Sequence, residues 1–305
     1  MNHAKHSTAL AESPAHQSAS ATAWLSVAPA AFVFLWSTGF VGMRFGTPYA
    51  EPFTFMAWRM LLVVTLLGIV AAAFRAPWPR GQDILHCIIA GLLVHACYLS
   101  GVLYAIRLGM PLGYVALIAG LQPILTAIIA RIWLDERLAG KQWFGMALGI
   151  SGVLLVVASK HVSGDVPLTA LFCAGIGLVG ITLGTLYQKR FCTAIDLRTG
   201  GVWQFSATGI VLTILAFAFE SRDVSWTPQF IGALLWLVIA LSIGAISLLY
   251  VMIRHGQTAS VTSLFFLTPA VTAVMAWLLF GEALPLLAIA GLVTSACGVY
   301  LVMRK

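Results

Sequence analysis

The chain has 305 residues, 60% of them hydrophobic and only 9% charged, with a net charge of +7. A soluble domain carries about 25% charged residues to cover its surface, so this composition excludes an ordinary water-soluble fold and calls for a bilayer as solvent. The charges gather in clusters such as Arg75–Arg80, Arg131–Lys141 and Lys189–Arg198, between apolar runs of about 20 residues, the length that crosses hydrocarbon.

Residues 1–23 are rich in Ser, Ala and His, and are expected to form a disordered cytoplasmic tail that buries too little apolar surface to fold. The first apolar run begins late and is too long for a signal-peptide core, so it is expected to serve as its own targeting signal. Spans follow near 24–46, 52–74, 84–106, 111–133 and 141–159, then near 167–188, 198–219, 229–253, 258–280 and 284–303. Backbone groups in lipid must be paired within the protein, and runs this long without polar alternation are helices rather than barrel strands. With the N-terminus cytoplasmic, inside segments hold twelve Lys and Arg residues and outside loops four, Arg44, Arg107, Lys160 and Arg222. That bias puts both termini inside. The net charge is thereby absorbed as a topology signal, and no nucleic-acid partner is inferred from it. The five cysteines have no CxxC spacing and read as packing residues.

A shift of 146 residues superposes the two halves without a gap. Leu103-Tyr104 falls on Leu249-Tyr250, Pro123 on Pro269, Glu136 on Glu282, and Gly145 and Gly152 on Gly291 and Gly298; from Leu103 to Val156, 15 of 54 positions are identical. Each copy has an odd number of spans, so the second crosses in the opposite sense. The expected fold is an all-α polytopic membrane protein, with ten transmembrane helices as two inverted five-helix repeats over 24–160 and 166–303. Such repeats let one unit in two conformations form both open faces of an alternating-access transporter.

The stretch LYAIRLGMPLGYVALIAGLQPILTAIIARIWLDERLAGKQWFGMALGISGVLLV and its echo LLYVMIRHGQTASVTSLFFLTPAVTAVMAWLLFGEALPLLAIAGLVTSACGVYLV resemble the EamA-type domain of the drug/metabolite transporter superfamily. FLWSTGFVGMRFG followed by PFTFMAWRMLL resembles the opening of such a domain. The resemblance implies ten helices, a bacterial inner-membrane location, and export or exchange of amino acids, metabolites or drugs. The chain lacks the early intramembrane Glu of the small multidrug-resistance relatives, which counts against proton-driven drug antiport.

Arg59 lies seven or eight residues into the second span, about 10–12 Å deep by helical rise. A charge there is costly and a functional suspect; it would meet a substrate carboxylate or hold freed carbonyls, unless its stem snorkels to the interface. Trp36, Ser37, Tyr98, Tyr104, Gln204 and Tyr250 supply aromatic walls and directed hydrogen bonds, and with Arg59, Gln122 and Thr268 they form the candidate substrate-binding set. Each taken singly serves equally as a helix–helix contact. Pro123 and Pro269 sit mid-span, where each removes a donor and clashes with the carbonyl of Ala119 or Phe265; they are expected to act as hinges or kinks beside Gln122 and Thr268. His86 and His95 do not share a face and make no metal pair; His95 is expected to hydrogen-bond a neighbouring helix. Glu136 and Glu282 are expected to be structural helix ends, capping the helix that follows, and the glycines to be seams.

No GxSxG, HExxH or paired intramembrane aspartates occur, so the reading is of a transporter and not an enzyme. No metal and no cofactor are expected. Partners are a small-molecule substrate and the lipid bilayer, with a homodimer left open. The function expected is exporter or exchanger of small organic solutes such as amino acids or metabolites; the alternative is a passive channel or lipid-handling protein.

Overall fold

The computed structural model describes residues 14–108, 110, 115, 118–158, 167–281 and 285–304. The described residues are almost entirely helical. In chain order come α1 (Pro14–Gly46), α2 (Pro52–Ala73) and α3 (Gln82–Gly91), which widens through a π-helical stretch, Leu92–Cys97, into α4 (Tyr98–Arg107). Then follow α5 (Gln122–Trp133), α6 (Gly140–Ala158), α7 (Leu168–Phe191) and α8 (Leu197–Phe219). α9 (Pro228–Trp236) passes through a second π stretch, Leu237–Ala245, into α10 (Ile246–His255). α11 (Thr258–Thr262) runs through a 3-10 stretch, Ser263–Leu267, into α12 (Thr268–Phe280), and α13 (Leu286–Met303) closes the chain. Among the described residues seven helical runs are long and apolar enough to cross a membrane, and Val27–Met43 of α1 is a shorter apolar stretch.

The described residues put large apolar side chains on the outside and bury polar ones within a mainly apolar interior. Leu61, Ile132, Ile210, Phe217, Leu278 and Leu286 are exposed, while Ser37, Arg59, His95, Gln122, Gln188 and Gln204 are buried. That inversion is the one a hydrocarbon solvent selects, because polar groups then find partners only within the bundle.

Two helix pairs carry the framework. α6 packs most extensively on α13, and α2 on α8. The first seam is glycine against glycine: a Cβ on Gly145 would lie 2.7 Å from the Gly298 carbonyl oxygen, and one on Gly152 would lie 2.5 Å from that of Gly291. Backbones this close are how helices associate where no hydrophobic effect separates them from lipid. Under the 146-residue shift the pair Gly145–Gly298 becomes Gly291–Gly152, so the contact maps onto itself. At its centre Ser295 Oγ donates to the carbonyl of Gly149, its own repeat mate, at 3.2 Å. Because residue numbers rise on one helix as they fall on the other, α6 and α13 are antiparallel. α2 and α8 are antiparallel in the same way: a Cβ on Gly201 would meet Leu67, and one on Gly209 would meet Met60.

Several expectations need correction. α1 is helical from Pro14, inside the stretch expected as a tail. The fourth span is broken at Gly120–Leu121, and Pro123 sits in the first turn of α5, where its missing N–H costs nothing, rather than mid-helix. Pro269 lies mid-span as expected, within the run Thr258–Leu279, and directly follows the 3-10 stretch. The Phe265 carbonyl is not loose, since it accepts the amide of Thr268. Glu136 caps across the repeats and not the helix that follows it: its carboxylate accepts from Thr258 N at 2.8 Å and Thr258 Oγ1 at 2.9 Å, at the start of α11. Glu282 lies outside the described residues.

Candidate functional site

The two π stretches occupy equivalent places, since Leu92–Cys97 shifted by 146 falls within Leu237–Ala245. A π turn adds a residue and re-aims side chains, and such turns recur at functional sites. Between these stretches, α1 and α2 lies a cavity of about 40 Å³, lined by Trp36, Arg59, His95 and Tyr98 with apolar walls that include Val102 and Leu241. That volume holds a few waters or one small apolar group.

Arg59 turns inward and is only 3% exposed, which rules out snorkelling. Its Nε donates to Ser242 Oγ, on the second π stretch, at 2.9 Å, and Nη1 approaches the Met56 sulfur at 3.7 Å. Neither partner carries charge. The acids among the described residues, from Glu51 and Asp83 to Glu220 and Asp223, sit at helix ends and loops, and no acidic side chain lines the cavity. His95 is as deeply buried; its ring stacks on Phe205 with centroids 4.3 Å apart, and its Nε2 has no hydrogen-bond partner among the described residues. Trp36 packs edge-on to Phe265 at 4.9 Å and stacks against Tyr98 at 6.5 Å.

Of the candidate set, the structure brings Trp36, Arg59 and Tyr98 to the cavity. The others lie away from it. Gln204 joins Gln188 and Tyr250 in a buried chain, donating from Nε2 to Gln188 Oε1 at 3.0 Å and accepting from the Tyr250 hydroxyl at 2.9 Å. Tyr104 stacks on Phe53 at 4.8 Å, and Ser37 reaches the Thr268 carbonyl at 3.5 Å. Gln122 Nε2 and Thr268 Oγ1 are buried without partners but do not line the cavity. His86, which carried no expected role, bonds the Tyr187 hydroxyl at 2.7 Å. His95, expected to bond a neighbouring helix, instead leaves Nε2 without a partner among the described residues and lines the cavity. Ser242 and Phe205 were not singled out from sequence; a 146-residue shift of Arg59 would have pointed to Phe205.

One end of the bundle is closed by carboxylates. Glu220, at the end of α8, accepts from Phe53 N at 2.8 Å, Thr54 N at 2.7 Å and Thr54 Oγ1 at 2.8 Å, so it caps α2. Glu51 accepts from Ser221 N at 2.6 Å and Ser221 Oγ at 3.0 Å, and Arg107 lies 3.6 Å from both acids. Burial raises the Glu51 carboxyl, but the bonds from Ser221 and Arg222 and the charge of Arg107 outweigh it and hold the group below its ordinary value. At the opposite end Lys189 donates to the carbonyls of Ile253 and Gly256, beside a hollow that Glu136, Arg190 and His255 also line.

The EamA-like transporter family model matches residues 23–158 and again 168–304. The uncharacterized inner membrane transporter YedA of Escherichia coli (strain K12) is 25% identical over 256 residues, covering 83% of this chain and 82% of its own. A probable terminal-alkyne amino-acid exporter of Streptantibioticus cattleyicolor is 24% identical over 281 residues, covering 90% and 91%. A solved structure titled only as a crystal structure of protein superposes with a TM-score of 0.77 at 18% identity, covering 92% of this chain and 96% of that one.

Proposed function

Because the chain belongs to the EamA-like transporter family, with two such domains, we propose that it exports or exchanges small carboxylate-bearing organic solutes, such as amino acids or metabolites, by alternating access. The polypeptide spans the inner membrane ten times as two inverted five-helix repeats with both termini cytoplasmic. What supports the inversion is the antiparallel, self-mapping contact between α6 and α13. YedA's inner-membrane location and the distribution of Lys and Arg support the placement. The amino-acid exporter supports the solute class.

The observation that carries the reading is Arg59, a buried cation facing a cavity between the two repeats with only neutral partners. A charge is held in such a place at a cost of several kcal/mol unless something completes it. A structural arginine would be expected to keep its counter-ion within the protein; one that serves a passing solute leaves that position open. Trp36, Tyr98 and His95 complete the site.

Counterflow in proteoliposomes preloaded with amino acids and small metabolites tests this. Saturable exchange that Arg59→Gln abolishes in a folded protein is the expected result. Flux that neither saturates nor responds to competitors would favour a passive channel instead.

A further inference from the structure

We infer that the cavity selects a net anion, a monocarboxylate on a small apolar body, over the corresponding zwitterionic amino acid, and that His95 is the second hydrogen-bonding group for that carboxylate. The inference rests on the transport reading and narrows it.

A zwitterion needs two receptors, one for each charge. The cavity supplies the first without the second. Arg59 carries five N–H donors in a planar fork, and the structure commits Nε to Ser242 and one Nη1 proton to a thioether sulfur, a weak acceptor. The remaining donors match a carboxylate, which an arginine takes in parallel pairs. No acidic side chain lines the cavity to receive an ammonium group. An ammonium brought there would be desolvated beside a like charge, and both effects oppose binding.

His95 supplies the second point of contact. His95 lines the same cavity as Arg59; its Nε2 is buried and has no partner among the described residues, while its ring is fixed by stacking on Phe205. Buried polar atoms are almost always paired, so an unpaired one on a residue that lines a cavity beside a cation without a counter-ion marks a ligand position. A neutral imidazole offers Nε2 as donor or acceptor according to its tautomer; a bound carboxylate selects the form with the proton on Nε2. The ring of Trp36 and the side chains of Val94, Val102 and Leu241 leave the body of the ligand only apolar contacts and aromatic faces.

The test uses the purified full chain in detergent with three probes sized to the cavity: propanoate, propanamide, and alanine, which adds the ammonium to the same skeleton. Thermal unfolding is followed by tryptophan fluorescence. The expected result is saturable stabilisation by propanoate, about tenfold weaker binding of alanine, and no effect of propanamide. Arg59→Gln is expected to weaken propanoate about a hundredfold and His95→Phe about tenfold, whereas Tyr104→Phe leaves it unchanged. Should Arg59→Gln fail to fold, Arg59→Lys retains the charge without the fork, and a weakening of about tenfold supports the same assignment. Alanine binding as well as or better than propanoate overturns the anion selectivity while leaving the transport reading, read separately by counterflow, in place. Absence of stabilisation by propanoate, or stabilisation undiminished in both Arg59 variants, overturns the inference outright.

Discussion

The surroundings of the cavity on its two sides are built on equivalent positions and differ in chemistry. On one side Arg59 of α2 reaches the second π stretch at Ser242. On the other Phe205 of α8, the residue on which Arg59 falls after the 146-residue shift, lies flat on His95 of the first π stretch. Backbone, helix pair and π turn repeat; the guanidinium does not. By contrast the α6–α13 seam keeps Gly145 and Gly152 in both copies, as Gly291 and Gly298, and departs from symmetry at its centre, where Ser295 stands in place of Gly149. Duplication thus preserved the scaffold and left the buried charge one-sided, as the proposed binding of a single asymmetric solute requires.

That comparison can be broken in graded ways. The largest effect is expected from Phe205→Arg, which would make the halves alike in the costly direction: a second buried cation with no counter-ion is expected to destabilise by about 3–5 kcal/mol, read as loss of folded protein by size-exclusion chromatography. Gly152→Leu attacks the glycine seam instead. Its side chain would collide with the backbone of Gly291, and a loss of about 3 kcal/mol is expected from overpacking, measured as a fall in thermal midpoint. Arg59→Phe makes the halves alike in the cheap direction. Exchange should fall about a hundredfold while the thermal midpoint is kept or raised, because an apolar residue replaces a buried charge.

Ser242→Ala sharpens the comparison by removing one oxygen-mediated restraint on the guanidinium. A cost of about 1 kcal/mol in stability is expected, with weaker binding of anionic probes. The smallest effect lies at the far end of α2. The folded-state pKa of Glu51 is lowered, so its contribution is present at neutral pH and is lost as pH falls through that depressed value. Amide hydrogen exchange at Ser221 and Arg222 should therefore accelerate in acid, beyond the intrinsic pH dependence, and Glu51→Gln should remove most of that change.

Much of the scaffold was legible in the sequence because it depends on local composition. Apolar runs set the helices, and a 146-residue shift aligned Gly145 and Gly152 with the partners' equivalents before any contact was known. Arg59 was legible for a related reason, since a charge within an apolar run stands out against its neighbours. Its partner was not. Ser242 is one hydroxyl in a long apolar span, and its role depends on a π turn that re-aims it and on a helix 183 residues away in sequence. The prolines marked irregular places in their spans but not the form of the irregularity: Pro123 begins a helix after a turn, and Pro269 follows a 3-10 stretch. Glu136 was read as a helix cap from its position, but the helix it caps belongs to the other repeat, a choice made by tertiary packing alone.

The central claim is that one cavity opens in turn to the two sides of the membrane. The most direct measurement replaces the native cysteines Cys87, Cys97, Cys173, Cys192 and Cys297, introduces Leu99→Cys in the cavity wall, and labels it with a membrane-impermeant maleimide from each side separately. Labelling from both sides, slowed in each case by a bound solute, is the expected result. Labelling confined to one side under every condition would contradict alternating access.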